Sequence, residues 1–272
     1  MMRKHFEDKV VFITGSSKGI GKAIAFLLGS YGAKICINGR NADALDDTYR
    51  QLVSEDIRCL KLPGDVSDSE QCRAMIAKII EEFGRLDVLV NNAGIGNYGR
   101  FKELTIDAWD RVVGINMMGP VYMSSHALPH LLKAKGSIVF ISSLAGRQGM
   151  PGHSAYSLSK MGLSALAEAM QMEFKKNELH TGIMYVGFTE NEENKQILSP
   201  DGTYKKLPQR KQKQAGREDV ARAVARLISK RKNSVTLTFV GRLQAFALRF
   251  FPFVVRMILK KADRDYDNMY DH

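Results

Sequence analysis

A short apolar, β-branched stretch, Lys9-Val-Val-Phe-Ile-Thr14, runs directly into Gly15-Ser-Ser-Lys-Gly19-Ile-Gly21 and then into a helical segment over 22–31. A strand, a glycine turn and a helix in this order leave bare backbone amides and a helix N-terminus facing one spot, where a pyrophosphate can sit. Gly15 is expected to make the turn, Gly19 to let phosphates approach and Gly21 to let helix and strand pack closely. Further apolar strands recur over 33–38, 58–62, 86–90, 137–142, 182–186 and 235–240. Helical segments separate them, including 69–83 and 106–133, the second interrupted near Gly119-Pro120. Strands alternating with helices predict an α/β fold with a parallel sheet covered on both faces. A ligand should then cross the carboxyl ends of the strands.

The 272 residues, 44% of them hydrophobic, suffice for one substantial core, and no repeat or low-complexity stretch divides them. Cys36, Cys59 and Cys72 have neither metal-ligand spacing nor a Cys-x-x-Cys pair, so free thiols in a reducing compartment are expected and no metal site. Ahead of the first strand, Met1-Met-Arg-Lys-His-Phe-Glu-Asp8 holds no apolar signal region, which predicts a cytoplasmic location. The formal charge is +11, but the basic residues are dispersed and no aromatic-basic platform accompanies them. That argues against a nucleic-acid partner.

Tyr-x-x-x-Lys occurs twice, at Tyr98 to Lys102 and at Tyr156 to Lys160. Gly94, Gly96 and Gly99 make the first a loop, where this spacing puts nothing on a common face. Residues 155–174, by contrast, are rich in Ala, Leu, Met and Ser without an internal Pro, and Ser154 is the expected N-cap. Tyr156 and Lys160 then lie one turn apart on one helical face. A phenol titrates near ~10 and a lysine near ~10.4, and a neighbouring cation favours the phenolate and so makes the phenol a better acid. Ser143, thirteen residues before Tyr156 and just past the strand over 137–142, adds a hydroxyl to bond the carbonyl oxygen that Tyr156 would protonate. Together the three point to carbonyl reduction; the Tyr–Lys pair alone describes a surface aromatic and a solvated charge equally well.

After the second strand the chain reads Cys36-Ile-Asn-Gly39-Arg40-Asn41 and offers no carboxylate to hold ribose hydroxyls. Arg40 and Lys18 are instead two cations placed to meet a 2′-phosphate. NADPH/NADP+ is the expected cofactor.

Thr14-Gly-x-x-x-Gly-x-Gly21, Asn91-Asn-Ala-Gly94, Asn116, Ser143 and Tyr156-x-x-x-Lys160 stand in the order and spacing of the short-chain dehydrogenase/reductase family, which the chain resembles over residues 9–240. The resemblance implies a Rossmann-type, doubly wound sheet of about seven strands in the order 3-2-1-4-5-6-7. It also implies a catalytic set of Asn116, Ser143, Tyr156 and Lys160. In that set Tyr156 is the acid in reduction and the base in oxidation, Lys160 also bonds the nicotinamide ribose, and Asn116 holds a water that links the lysine to solvent. Cofactor contacts are implied at Gly15, Ser17, Lys18, Gly19, Ile20 and Gly21 in the turn, and at Arg40, Asp65 and Val66 around the adenosine, with Asp65 beside the adenine. Asn91, Ala93 and Gly94 would shape the cleft after the fourth strand, and Gly187 and Thr189 the cleft after the sixth. One departure stands out: where the family carries Pro-Gly and then a threonine four residues on, this chain has Val186-Gly187 and Asn191. Asn191 or Thr189 is expected to supply those hydrogen bonds.

Residues 190–215 are polar, turn basic at Lys205-Lys206 and Arg210-Lys-Gln-Lys213, and are expected to form a lid over the substrate. Beyond the catalytic domain, 1–240, lies a tail, 241–272. In it Arg242, Arg249, Arg256 and Lys260 share a narrow arc at ~100° per residue, beside a broad Leu, Phe, Val, Ile and Met face. Such a segment suits peripheral contact with an anionic inner membrane face through residues 242–261. Packing on its own domain or on a second subunit is the alternative. Pro252 should break the segment, and its arginines and length are wrong for a spanning helix. The tail resembles those of membrane-associated family members acting on long-chain ketones or steroids, which implies a lipophilic ketone substrate, 3-ketosphinganine-like or steroidal. A homo-oligomer, dimer or tetramer, is implied as well. The expected function is NADPH-dependent reduction of a ketone to a secondary alcohol; the alternative is an NADP-binding sensor or scaffold at a membrane surface, which needs no proton donor.

Overall fold

The computed structural model describes residues 2–190, 196–206 and 214–264. In chain order its elements are α1 (Met2–Phe6), β1 (Val10–Ile13), α2 (Gly19–Gly29), β2 (Lys34–Gly39), α3 (Ala42–Ser54), β3 (Cys59–Pro63), α4 (Ser69–Phe83) and β4 (Val88–Asn91). Next come α5 (Ile106–Val113), α6 (Gly119–Lys133), β5 (Ser137–Ser143), α7 (Ser154–Glu173), β6 (His180–Val186), β7 (Gln196–Leu198) and β8 (Tyr204–Lys206). The chain continues through α8 (Arg217–Ser229), β9 (Ser234–Thr236), α9 (Phe239–Phe250) and α10 (Pro252–Arg264).

Seven strands form one parallel sheet in the order β3-β2-β1-β4-β5-β6-β9, the doubly wound Rossmann arrangement in a single domain. Its first strand explains why the apolar runs are unbroken rather than alternating. Val11 and Ile13 point into a core with Ile24 and Leu28 of α2 and Val224 and Leu227 of α8, while Val10 and Phe12 point into a second core with Ile76 of α4, Met123 of α6 and Leu163 of α7. Side chains alternate across a strand, so a sheet with a core on each side needs apolar residues at every position.

Two local expectations are corrected. The last sheet strand stops at Thr236 instead of running to 240, because the Thr238 side chain accepts from the Gly241 amide at 3.1 Å and starts α9. The long helix over 106–133 does not break at Gly119-Pro120: Met118 and Gly119 keep helical conformation, and the chain runs on into α6. The irregularity falls earlier, as a π-helical turn over Gly114–Met118 with Asn116 at its centre. Such turns recur at functional sites.

Within the segment expected as a lid, β7 and β8 pair as an antiparallel hairpin. In the tail, Pro252 separates α9 from α10. Arg100 holds α10 by an ion pair to the Asp263 carboxylate and by donating to the Asp263 carbonyl at 3.1 Å, and Val255 is buried. Phe246, Phe250, Phe253, Met257 and Ile258 nevertheless stay exposed, Phe253 at 62% and Met257 at 68%. Among the described residues, no helix is long and apolar enough to cross a membrane.

Candidate active site

The turn after β1 is tied to the end of β4 by hydrogen bonds that span the sheet. Thr14 Oγ1 accepts from the Asn92 and Ala93 amides at 3.0 Å each, and Asn92 Nδ2 donates to the Thr14 and Gly15 carbonyls at 2.9 Å each. Asn38, at the end of β2, joins the same cluster: its Oδ1 accepts from the Gly15 amide at 3.2 Å, and its Nδ2 donates to the Leu62 and Gly64 carbonyls. These bonds leave no room beside the first turn of α2, where a Cβ on Gly21 would stand 2.5 Å from both Asn92 Nδ2 and the Gly15 carbonyl oxygen. Lys18 is the N-cap of α2, in extended conformation, and its own side chain does not cap that turn. A helix N-terminus offers backbone amides to an anion, which is why the order strand, turn, helix suggests a phosphate site here. Asn92 and Asn38 carry this scaffold, and neither had a role in the sequence reading.

Around the turn, the Ser17 carbonyl accepts from Thr48 Oγ1 at 2.8 Å, and Ile20 packs on the core beside α2. Asn91 is buried and donates to Ser124 Oγ of α6 at 3.1 Å, so it braces β4 against that helix. Val66 lies buried under α6, where a Cβ on Gly119 would meet it at 2.9 Å.

Just past β2, where the adenosine is expected, Arg40 is 53% exposed and pairs with Asp65 at 3.4 Å. Burial pushes the Asp65 carboxyl up, but the Ser67 hydroxyl and amide and the Arg40 charge outweigh it and hold it below its ordinary value.

Of the catalytic candidates, Asn116 and Lys160 come together beside Gly94, and Lys160 faces Tyr156 one turn away on α7. Lys160 is 5% exposed, and its Nζ donates to the Ile141 carbonyl at 3.0 Å and lies 5.8 Å from the centre of the Tyr156 ring. Burial of the ammonium pulls its pKa down to about 8. Asn116, wholly buried, uses its amide on one residue of the loop after β4: Oδ1 accepts from the Ile95 amide and Nδ2 donates to the Ile95 carbonyl, both at 2.8 Å. Its Nδ2 also reaches Ser159 Oγ at 3.3 Å, which in turn donates to the Tyr156 carbonyl at 2.8 Å. Ser143 Oγ accepts from the Ala145 amide at 3.3 Å, which leaves its own proton to be donated elsewhere.

How α7 begins differs from the expectation. Ser154 is its first helical residue, His153 stands at the N-cap, and neither caps the helix through its side chain. The Tyr156 amide is bonded instead by Asn97 Oδ1 at 2.9 Å, from the loop after β4. An asparagine distant in sequence thus satisfies an orphan amide of the first turn and sets the height of Tyr156 over the sheet. Ser142 of β5 fixes the next turn by donating to the Lys160 carbonyl at 3.2 Å.

A dinucleotide fits this surface. Besides the turn amides, Gly94 is bare where a Cβ would stand 3.2 Å from Asn116 Oδ1 and 3.4 Å from Lys160 Nζ, so a ligand can lie against the backbone there and reach the lysine. Beyond β6, Gly187 abuts Thr238, and Thr189 bridges to Ala215. Asn191 lies outside the described residues. An open cleft of about 790 Å³ between α7 and α10, lined by Met150, Leu158, Met161 and Leu259, is a separate feature. At ~100° per residue its α7 residues face roughly away from Tyr156 and Lys160.

Comparison with known proteins agrees with this geometry. Residues 9–201 match the family described as short chain dehydrogenase. The 11-beta-hydroxysteroid dehydrogenase-like 2 protein of Arabidopsis thaliana is 40% identical over 176 residues, 62% of this chain but only 56% of that relative. A metagenomic short-chain oxidoreductase in complex with NADP superposes with a TM-score of 0.72 at 27% identity, covering 86% of this chain and 99% of the other. A short chain dehydrogenase/reductase of Burkholderia phymatum in complex with NAD has a TM-score of 0.77 at 24% identity, covering 90% and 95%. These neighbours hold either nucleotide, and the second speaks to the fold alone.

Proposed function

Since the chain belongs to the short-chain dehydrogenase family, an oxidoreductase family acting on alcohol and ketone groups, we propose that it is an NADPH-dependent reductase of lipophilic ketones. One observation carries the reading: a buried ammonium, Lys160, is held between the Tyr156 ring and the bare backbone of Gly94, at the carboxyl end of the sheet. Burying a cation is costly, and this cost is understandable where the cation has chemistry to perform.

When bound, the nicotinamide dinucleotide supplies the hydride. Tyr156 gives its phenolic proton to the substrate carbonyl oxygen, and Ser143 donates a hydrogen bond to the same oxygen. Lys160 keeps a positive charge beside the phenol and bonds the ribose, while Asn116 pins the loop through Ile95 so that Gly94 stays open to the cofactor.

The preference for NADPH rests on the cations Arg40 and Lys18 at the adenosine end and on the lack of a carboxylate directly after β2. Replacing both with alanine should lower kcat/KM for NADPH about 100-fold relative to NADH, from two charge-assisted contacts of at least ~1.4 kcal/mol each. Steady-state kinetics with the two cofactors reads this directly. An unchanged ratio would mean that neither side chain meets a 2′-phosphate.

A lipophilic substrate is supported by the tail and by the name of the Arabidopsis relative, a hydroxysteroid dehydrogenase-like protein. The first turn of α9 stands against the turn that follows β5, since a Cβ on Gly241 would meet Leu144 at 2.7 Å, so apolar surface lies next to Ser143. The exposed Phe, Met and Ile side chains of α9 and α10, with Arg242, Arg249, Arg256 and Lys260, suit an anionic bilayer surface. Deleting residues 242–272 should abolish co-sedimentation with phosphatidylserine vesicles, and unaltered partitioning would leave the tail a packing element. Oxidation of NADPH across a panel of sugars, keto-acyl thioesters, steroids and long-chain amino ketones tests the substrate class. Turnover confined to the sugars would sink the lipophilic reading.

A further inference from the structure

Residues 95–99, in the loop after β4, run as a ribbon between the β7–β8 hairpin and the start of α7. On the hairpin side Asn97 is bridged to Leu198, whose amide donates to the Gly96 carbonyl at 2.9 Å and whose carbonyl accepts from the Tyr98 amide at 3.2 Å. On the α7 side the Gly99 amide donates to the Gly152 carbonyl at 2.9 Å, and Asn97 Oδ1 accepts from the Tyr156 amide at 2.9 Å. Leu198 is fully buried in a cluster with Leu104, Ala108 and Val112 and with Ala155, the residue before Tyr156. The hairpin and the first turn of α7 thus share one apolar cluster and one ribbon of backbone. Asn97 is itself 1% exposed, and its Nδ2 finds no partner among the described residues. A buried donor without a partner is a cost, so what this position gains from an asparagine is its acceptor.

We propose that Asn97 is a positioning residue for the reduction, acting through Tyr156, and that it makes the placement of the phenol depend on the seating of the hairpin. The inference rests on the reading of Tyr156 as the proton donor. The two turns of α7 that carry Tyr156 and Lys160 are anchored to different parts of the fold. Lys160 is tied to β5: its Nζ donates to the Ile141 carbonyl at 3.0 Å, and its carbonyl accepts from Ser142 Oγ at 3.2 Å. Tyr156 is tied to the ribbon instead, and His153 at the N-cap gives that turn no side-chain bond. Lifting the hairpin takes Leu198 away from Ala155 and breaks both of its ribbon bonds, so the first turn loosens while the second stays on the sheet. The phenol then leaves the place where Lys160 faces its ring, and the acid is misaligned until the hairpin is down. A substrate that seats the hairpin thereby sets its own proton donor.

Asn97→Ala and Leu198→Ala, each alone and each combined with Tyr156→Phe, test this with NADPH and two probes, a steroid ketone and a long-chain amino ketone. Asn97→Ala should lower kcat about tenfold, the loss of one hydrogen bond felt in the transition state, with the dissociation constant for NADPH within about threefold of the parent. In the Tyr156→Phe background the same change should lower the residual kcat by less than about twofold, because no proton donor is left to misplace. Leu198→Ala leaves the Asn97 side chain in place and should reproduce both results. It should also speed hydrogen exchange of the Tyr156 amide about tenfold, while the Leu163 amide, further along α7, exchanges as in the parent. Should Asn97→Ala fail to fold, as lost NADPH binding would show, Leu198→Ala decides alone. An unchanged kcat, or an unchanged Tyr156 amide in Leu198→Ala, overturns the proposal while Tyr156 stands as the acid. An equal fall of kcat in both backgrounds would make the role merely structural, and that too overturns it. Where Tyr156→Phe turns over like the parent, the reading of Tyr156 as the acid falls and this proposal falls with it.

Discussion

Tyr156→Phe should lower kcat for ketone reduction by about 10³-fold, within the ~10²–10⁴ that a positioned general acid contributes. The dissociation constant for NADPH should stay within about threefold, because the change removes one hydroxyl and little else. The ring that Lys160 faces at 5.8 Å remains, and so does the backbone bond from Tyr156 to Asn97 at 2.9 Å. NADPH absorbance follows the first quantity and a fluorescence titration the second. Parental turnover in this variant would remove Tyr156 as the acid. Loss of cofactor binding would mean that the hydroxyl is needed to build the site.

Lys160→Met should move activity and stability in opposite directions. The uncharged side chain of similar length removes the cation beside the phenol, and turnover should fall by about 10²-fold or more, as expected for a group that tunes a general acid. In the parent, burial lowers the lysine pKa to about 8, so the folded state gives up this proton more readily than the unfolded chain, where a lysine titrates near ~10.4. The sign follows from proton counts. Below about pH 8 both states hold the proton, and the folded protein bears a cost of roughly 3 kcal/mol for a charge out of water. Between about 8 and ~10.4 only the unfolded state holds it, so this group's contribution to stability rises with pH. Methionine lifts the cost but leaves the Ile141 carbonyl without its donor, a loss of ~1 kcal/mol. The melting temperature at pH 7 should therefore rise by about 5 °C. In the parent, kcat/KM for reduction should fall as pH rises through about 8 and the cation is lost, and that limb should be missing from the methionine variant. A melting temperature that drops would show that the ammonium is better compensated than its burial indicates.

The parts of this protein that were legible in its sequence are those set by neighbours along the chain. Unbroken apolar runs between helical segments specify a sheet with a core on each side, as Val10 to Ile13 do by sending alternate residues to opposite cores. A glycine turn between strand and helix specifies exposed amides, and a four-residue spacing on a helix puts Tyr156 and Lys160 on one face. None of these needs long-range information. Two of the errors were local ones: the strand expected over 235–240 is cut short by the Thr238 cap, and the irregularity expected at Gly119-Pro120 falls at Gly114–Met118.

Tertiary structure alone decided which polar groups hold the site together. The Tyr156 amide finds its partner in Asn97, 59 residues away, where the sequence suggested Ser154 next door. Asn92 bonds Thr14 across 78 residues, and Asn116 bonds Ile95 across 21. The reason is that a buried amide or carbonyl must be satisfied by whatever folding brings within hydrogen-bond distance. That partner is a property of the packed sheet, and two residues distant along a chain carry no mark of it until the strands between them are in register.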